Sequence, residues 1–103
     1  MRFQRKGNDL ITKKPIDLYT ALLGGKVEIP TINGIVNMNV PKGTQNGKTL
    51  RLKGKGMPVY NSKSFGDLLA QIEVVLPKSL SKEEEELFKR LQTLATQKRR
   101  TTV

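Results

Sequence analysis

The fold of this 103-residue chain is decided between Pro15 and Gly56, where the sequence reads PIDLYTALLGGKVEIPTINGIVNMNVPKGTQNGKTLRLKGKG. The stretch begins with a short amphipathic helix over residues 17–23, for which the side chain of Asp17 is a suitable N-cap. The pair Gly24-Gly25 ends this helix, because glycine adopts the left-handed backbone conformation without a Cβ clash. No arrangement of residues in the stretch is typical of catalysis, which favours a binding or structural domain.

Three predicted strands follow the helix. Residues 26–32 and 35–40 alternate apolar and polar side chains on either side of Asn33-Gly34, whose positive φ angles suit a two-residue hairpin turn. A wide turn rich in glycine and asparagine then leads to a third strand over residues 48–53, in which leucines alternate with cationic side chains. An apolar face opposite a polar face is typical of antiparallel sheets.

The flanking sequence adds further strands and a second helix. Residues 10–16 alternate weakly and contain Pro15, which favours an edge strand because proline cannot donate to a ladder. Residues 68–76 alternate more regularly and predict the last long strand. Ser81 and Glu84 form a capping box that starts a helix. The apolar side chains that follow at helical spacing are Leu87, Phe88, Leu91, Leu94 and Ala95.

The composition disfavours most classes of enzyme. The chain has no cysteine and no histidine, which removes thiolate zinc sites, cysteine nucleophiles and the commonest general base. The consecutive glutamates at 83–86 point in different directions, and they suit the positive end of a helix dipole better than acid–base catalysis. We therefore predict that the protein is not an enzyme and that it needs no cofactor or metal.

Localisation and charge follow from the same composition. No apolar run approaches the ~18 residues of a membrane span, and residues 1–20 lack the apolar segment of a signal peptide. With the absence of cysteine, this favours a soluble, cytoplasmic protein. The net charge of +10 is large for the length and predicts attraction to anionic partners.

Three segments occur in a distinctive order along the chain. They are ALLGGKVEIPTINGIV at residues 21–36, VPKGTQNGKTLRLKGKGMP at 40–58 and GDLLAQIEV at 66–74. This series resembles the second β-domain of the C-terminal, substrate-binding region of DnaJ-type co-chaperones. Residues 3–10, FQRKGNDL, are similar to the junction between the first and second such domains in that family, so the resemblance extends over about residues 3–95.

Together the alternation and the resemblance predict a mainly β, two-layer, antiparallel sandwich-like domain with one short helix and a C-terminal helix. Residues 1–8 are expected to be a lead-in or linker and residues 9–80 the β-domain. Residues 81–97 are expected to form the C-terminal helix, and residues 98–103 a basic, frayed tail. The length suits one hydrophobic core.

In this family the β-domains, chiefly the first, have an apolar depression between two strands that holds extended segments of unfolded client polypeptide. Val27 and Ile29 are the best candidates for client contact, with ordinary core positions as the alternative interpretation. Because threonine and lysine stand where the family often has aliphatic residues, we expect a shallow and wet depression. The positions that match the depression are Thr12, Lys14, Val27, Ile29 and Thr31.

The resemblance also implies a homodimer, because DnaJ-type co-chaperones dimerise through a segment after the last strand of this domain. A symmetric contact would need only one self-complementary patch. The alternative is that the apolar stripe of the helix docks on the sheet of its own chain. The candidate residues for dimerisation are Leu87, Phe88, Leu91 and Leu94.

A basic stripe indicates a rival function. Residues 29–66 contain six lysines or arginines and no acid. One branch of the DnaJ-type family is known for binding curved DNA, so a module that binds DNA non-specifically is the alternative hypothesis. Against it, the chain has few aromatic residues to stack on bases, and lysines also protect a sheet edge from aggregation. The candidates for contact with an anionic partner are Lys48, Arg51, Lys53 and Lys55.

A complete co-chaperone of this type carries an N-terminal J-domain, whose His-Pro-Asp loop stimulates the ATPase of a DnaK-type partner, and some members carry a cysteine-rich zinc module. The 103 residues contain neither. We therefore expect a fragment that binds unfolded protein and forms the dimer, assisting a DnaK-type chaperone in protein folding and the stress response through the full-length protein. A dimerisation module without a ligand of its own is a third hypothesis.

Overall fold

The structure is a computed structural model that describes residues 3–101, and it describes side chains as far as Arg99. Six strands and two helices are present among these residues. In chain order they are β1 (Gln4–Lys6), β2 (Asp9–Asp17), α1 (Leu18–Leu23), β3 (Gly25–Thr31), β4 (Gly34–Val40), β5 (Thr49–Leu52), β6 (Leu68–Val75) and α2 (Lys82–Thr101).

The strands form two sheets around one core. One sheet has four strands in the order β1-β2-β6-β5, and the other is the hairpin of β3 and β4. Alternate side chains of both sheets and one residue of α1 meet between the layers, which confirms the predicted two-layer, mainly β domain with a short and a C-terminal helix. The buried core consists of Leu10, Ile16, Ala21, Ile29, Met38, Val40, Leu68, Ala70 and Ile72.

The longest pairing in the larger sheet is parallel, which differs from the antiparallel prediction. Strands β2 and β6 run side by side from the pair Leu10 and Leu68 to the pair Asp17 and Val75. The other three strand pairs are antiparallel. A parallel pair requires a long crossover connection, and here the chain between β2 and β6 supplies α1, the β3-β4 hairpin and β5.

The position of β2 corrects the expectation of an edge strand. It lies between β1 and β6, but β1 pairs with it only over residues 9–11. Among the described residues, no strand pairs with this side of β2 beyond Ile11, so we call residues 12–17 its open half. Pro15 lies in this open half, where its missing N–H costs no bond to β1.

Both predicted chain ends are more ordered than expected. Residues 4–6, assigned to a lead-in, form β1, which turns back into β2 through Gly7 at a φ of 64°. Residues 98–101, assigned to a frayed tail, continue α2 to Thr101. Lys and Arg are good helix formers, and their positive charge is favourable near the C-terminal end of the helix dipole. Residues 102 and 103 lie outside the described residues.

The β3-β4 hairpin turns one residue earlier than predicted. Thr31 pairs with Gly34, so Ile32 and Asn33 form the turn. Only Gly34 of the predicted pair has a positive φ, at 119°. The hydroxyl of Thr31 stabilises this turn, since it donates to the carbonyl oxygen of Gly34 at 2.6 Å and accepts from the N–H of Asn33 at 3.2 Å.

The segment between β5 and β6 folds back against the start of β2. The N–H of Met57 donates to the carbonyl of Asn8 at 2.8 Å, and the N–H of Gly66 donates to the carbonyl of Met57 at 2.8 Å. Gly56 and Gly66 leave no room here for a side chain, because a Cβ on either one would overlap the carbonyl oxygen of Asn8. These contacts hold the two ends of the loop beside the first residues of β2.

Neither α1 nor α2 is both long enough and apolar enough to span a membrane.

Candidate functional site

The residues that match the client depression are divided between the interior and the surface. Thr12 on β2 is 2% exposed and Ile29 on β3 is 0% exposed, so neither side chain is available to a partner at the surface. Lys14, Val27 and Thr31 are half-buried. Ile29 is therefore a core residue, as the alternative interpretation proposed.

The two strands that carry these residues belong to different sheets, so the candidate depression lies at the boundary between the layers. Val27 and Ile29 both pack into the core to which β2 contributes Leu10 and Ile16. Lys14 follows Thr12 on the same face of β2. Its half-buried side chain carries an ammonium group, which makes this boundary polar. The expectation of a shallow, wet depression at these residues stays a prediction.

The C-terminal helix α2 begins as its sequence predicts. The N–H of Glu84 donates to the hydroxyl of Ser81 at 3.1 Å, and the carboxylate of Glu84 accepts from the N–H of Ser81 at 2.9 Å. The hydrogen bond from the backbone of Ser81 is the main reason that the pKa of Glu84 is lowered. This capping box satisfies backbone donors at the start of the helix without help from the β-domain.

The apolar face of α2 is open to solvent. Leu87, Leu91 and Leu94 are 52%, 56% and 59% exposed. Phe88 is half-buried, and its ring lies 6.4 Å from the ring of Tyr19 on α1, centroid to centroid. The helix therefore does not dock on the sheet of its own chain, which overturns that alternative for the described residues.

The dimensions of the molecule also show that α2 lies apart from the sheets. Its radius of gyration is 18.0 Å, whereas a compact chain of this length has about 13 Å. Its longest axis is 58 Å, and a helix of 20 residues contributes about 30 Å of length. Helix α2 therefore extends away from the β-domain and leaves its apolar face uncovered.

The apolar face of α2 and Tyr19 enclose a groove of about 380 Å³, which we call the α2 groove. Glu84 and Arg90 also line it, so two charged residues join a mostly apolar lining. Helical spacing in the sequence identified most of this surface in advance. The residues that line the groove are Tyr19, Glu84, Leu87, Phe88, Arg90, Leu91 and Leu94.

Sequence reasoning missed a second apolar depression that Tyr19 joins to the α2 groove. It has a volume of about 280 Å³ and lies where the ends of β2 and β6 meet α1. Leu76 and Pro77, which follow β6, contribute to it, and Leu76 is exposed. The signal in the sequence was weak, because these residues belong to a strand end and a short helix rather than to one periodic stripe.

The basic stripe is divided by an ion pair. Arg51 contacts Asp67 at 2.5 Å, and the carboxylate of Asp67 also accepts from the N–H of Gly54 at 2.9 Å. The hydrogen bond from Gly54, followed by that from Arg51, lowers the pKa of Asp67, and the hydrogen bond to Asp67 raises the pKa of Arg51. Lys48 and Lys53 are exposed and Lys55 is half-buried. In the part of the chain described, no group of three or more acidic residues is placed to hold a metal ion.

Comparison with known proteins identifies the family. A family model described as DnaJ C terminal domain matches residues 1–77. The curated relative "Chaperone protein DnaJ" of Brucella anthropi is 49% identical over 96 residues, which are 92% of this chain and 26% of that protein. The protein of the same name from Azorhizobium caulinodans is 48% identical over 95 residues, which are 91% of this chain and 25% of the relative.

The chain thus spans about a quarter of the length of these curated relatives. The family match covers the whole β-domain described above, from β1 to the end of β6. The resemblance inferred from the three ordered segments is confirmed, and the chain belongs to the DnaJ C terminal domain family.

Proposed function

We propose that this chain is the part of a DnaJ-type co-chaperone that forms the dimer and holds unfolded polypeptide, and that the full-length protein assists a DnaK-type chaperone in protein folding. The observation that carries the proposal is the uncovered apolar face of α2. Three leucines of a long amphipathic helix are more than half exposed, which is a costly arrangement in water unless a partner covers them. The family membership indicates which kind of protein would use such a face.

A second copy of the chain is the partner that we propose for this face. A two-fold symmetric contact pairs the α2 groove with the same groove of the other copy, so one patch is sufficient. Burial of about 600 Å² of apolar surface, summed over the two partners, would contribute roughly 15 kcal/mol before the cost of association, which offsets most of it. We therefore expect a dimer of weak to moderate affinity.

The client surface that we propose lies at the layer boundary between β2 and β3. Val27, Thr31 and Lys14 would contact an extended segment of unfolded polypeptide, with the buried Ile29 and Thr12 beneath them. Lys14 and Thr12 stand where the family often has aliphatic residues, and they make this surface less apolar. Weak client affinity is therefore expected for this domain on its own.

Sedimentation equilibrium tests the dimer. At micromolar concentrations and near-physiological salt, we expect the chain to dimerise, and Leu91→Glu to remain monomeric because a charge would enter the apolar contact. Gln92→Glu introduces the same charge at the neighbouring position outside the α2 groove, and it should leave the dimer intact. A wild-type chain that is monomeric at all concentrations, or a Leu91→Glu variant that still dimerises, contradicts the proposal.

Binding of a labelled, extended apolar peptide tests the client surface. Lys14→Val restores an aliphatic side chain at the layer boundary and should strengthen binding several-fold, because a half-buried charge is removed from the contact. Lys13→Val removes the same charge from an exposed position on the other face of β2 and is the matched control. Equal binding by the two variants in fluorescence anisotropy would show that the client contacts another surface.

A further inference from the structure

Strand β5 forms an open edge of the larger sheet. It pairs with β6 on one side, and no strand among residues 3–101 pairs with it on the other. An open edge leaves backbone N–H and C=O groups available to another extended chain. The β5 edge is separate from the layer boundary between β2 and β3 and from the α2 groove, so binding at this edge is independent of the proposed function.

The hydrogen bonds at the start of β5 establish which backbone groups face outward. The N–H of Ile72 donates to the carbonyl of Lys48 at 2.7 Å, and the N–H of Gly47 donates to the carbonyl of Ile72 at 2.8 Å. Gly47 has a φ of 86°, so Gly47 and Lys48 form a β-bulge opposite Ile72. Lys48 is therefore a residue whose carbonyl faces β6.

Hydrogen-bonded and non-hydrogen-bonded pairs alternate along an antiparallel ladder. Counting from Lys48, the pairs of Leu50 with Ala70 and Leu52 with Leu68 direct their backbone groups toward each other. The N–H and C=O groups of Thr49 and Arg51 consequently point away from β6. They provide two donors and two acceptors at strand spacing, which a short extended peptide can bind.

The side chains of β5 specify what such a peptide should contain. Leu50 and Leu52 are half-buried against the core on one face of the sheet, while Thr49 and Arg51 are exposed on the other. A strand added at this edge places its alternate side chains beside these two pairs. Aliphatic side chains would extend the core beside the leucines, and the intervening side chains would lie beside Arg51.

Cationic residues flank β5 at both of its ends. Lys48 precedes the strand, and Lys53 and Lys55 follow it. The carboxylate of Asp67 is bonded to Arg51 and to the N–H of Gly54 and also interacts with Lys53, so it offsets part of this charge. The four cationic residues at and beside β5 still outnumber it. A second copy of β5 would bring Arg51 and Lys53 close to the same charges, which disfavours pairing of the edge with itself.

We propose that the β5 edge binds an acidic extended peptide by strand addition, with acidic and aliphatic side chains alternating along the peptide. The backbone of the peptide satisfies both the outward N–H and the outward C=O groups of β5, and its carboxylates lie among Lys48, Arg51, Lys53 and Lys55. A nucleic acid backbone satisfies this edge less well, because phosphate oxygens accept hydrogen bonds but cannot donate to the outward carbonyls.

Fluorescence anisotropy with the full chain tests the proposal. The probe is a labelled heptapeptide of alternating aspartate and valine, and the control probe has lysine in place of aspartate. We expect only the acidic probe to bind. Lys53→Glu should weaken this binding several-fold, and added salt should also weaken it because the charges are exposed.

Strand addition is tested by removing one hydrogen bond at the edge. Thr49→Pro removes the outward N–H at a position that makes no backbone bond to β6, and it should weaken binding by about tenfold. Thr49→Val keeps the N–H and should bind as the wild type does. Because proline could also disturb the strand, an acidic probe with N-methylated backbone amides repeats the test on the unchanged protein, and it should also bind about tenfold more weakly.

Two results overturn the proposal. Equal binding of the methylated and unmethylated acidic probes to the wild-type chain would show that charge alone holds the peptide. Tighter binding of a short DNA duplex, undiminished by Thr49→Pro and abolished by Lys53→Glu, would assign the basic stripe to nucleic acid instead.

Discussion

Asp67 connects three separate parts of the chain at the residue scale. Its backbone N–H donates to the carboxylate of Asp9, 58 residues earlier, at 2.7 Å. Its own carboxylate accepts from Arg51 at 2.5 Å and from the N–H of Gly54 at 2.9 Å. The start of β6 is thereby bound to the start of β2, to β5 and to the turn that follows β5.

Acid should weaken this junction, and Asp67→Asn should remove part of the dependence of stability on pH. The pKa of Asp67 is lowered in the folded state by the bonds from Gly54 and Arg51, so the ionised form stabilises the fold above its unfolded pKa of about 3.9. That contribution is lost as pH falls through the lower, folded value. We expect the urea midpoint of the wild type to fall more steeply than that of Asp67→Asn between about pH 5 and pH 2.

The matched control for charge is Glu86→Gln, which removes one carboxylate from the exposed face of α2. It should leave the steep part of the wild-type pH curve in place. At neutral pH, Asp67→Asn should unfold at lower urea than the wild type, and the two curves should converge in acid. If the urea midpoints of the wild type and of Asp67→Asn changed in parallel with pH, Asp67 would not account for the response to acid.

Gly66 provides a second prediction at this scale. A Cβ at this position would overlap the carbonyl group of Asn8 and approach the carboxylate of Asp9, so Gly66→Ala must displace backbone. We expect it to lower the free energy of unfolding by about 3 kcal/mol, measured by urea denaturation. Gly54→Ala meets no atom within 4 Å and carries only the strain of its φ of 73°, for which about 1 kcal/mol is expected. Equal losses would show that crowding at Asn8 is relieved without cost.

Local bonds between residues could be predicted from the sequence, and distant ones could not. Asp17 accepts from the N–H groups of Tyr19 and Thr20 as an N-cap should, because the partners lie two and three residues away. The closeness of Gly66 to Asn8 depends on the final packing of β2 and β6. No pattern in the sequence near Gly66 or Asn8 predicts that contact.

At the scale of elements, α2 starts with its own capping box, and its Phe88 contacts Tyr19 of α1. Ser81→Ala should therefore reduce helicity at residues 82–86, because it removes the acceptor for the N–H of Glu84, at a cost of about 1 kcal/mol. Backbone NMR shifts and circular dichroism measure this loss. The urea midpoint of the β-domain should stay the same, since α2 contributes no core residue. Ser79→Ala, just before the helix, is the control, and a lowered midpoint in Ser81→Ala alone would show that α2 supports the sheet.

Strands could be located from the sequence, but their partners could not. Alternation identified β3, β4, β5 and β6 to within a residue or two at each end. The parallel pairing of β2 with β6 was missed, because an apolar alternating strand accepts a neighbour of either direction. The turn of the β3-β4 hairpin was also displaced by one residue, because the hydroxyl of Thr31 stabilises a turn that the pair Asn33-Gly34 did not indicate.

For the whole molecule, the sequence predicted one core and two layers but left open where the apolar face of α2 goes. The stripe of leucines is the same whether a helix docks on its own sheet or on a partner. The structure separates the two cases, because every buried core residue lies between Leu10 and Ile72 and α2 extends away from them. We therefore expect removal of α2 to affect stability differently at low and at high protein concentration.

Removing all residues from Ser81 onward should leave the β-domain folded. At protein concentrations low enough for the intact chain to be monomeric, we expect the free energies of unfolding of the two chains to agree within about 0.5 kcal/mol, because no core contact is lost. At higher concentrations only the intact chain should gain stability, since a dimer binds the folded state by mass action. Urea denaturation over a range of concentrations measures both effects.

The two effects separate the packing of α2 from its association. A large loss of stability on truncation at low concentration would mean that α2 packs on its own β-domain in solution, and the apolar face would then not be free for a partner. A midpoint of the intact chain that never changes with concentration would leave α2 exposed but without a second copy to cover it. One result fits a helix that contributes nothing to the folding of its own domain and serves to join two of them. The free energies of unfolding of the intact and truncated chains must agree at low protein concentration and diverge at high concentration.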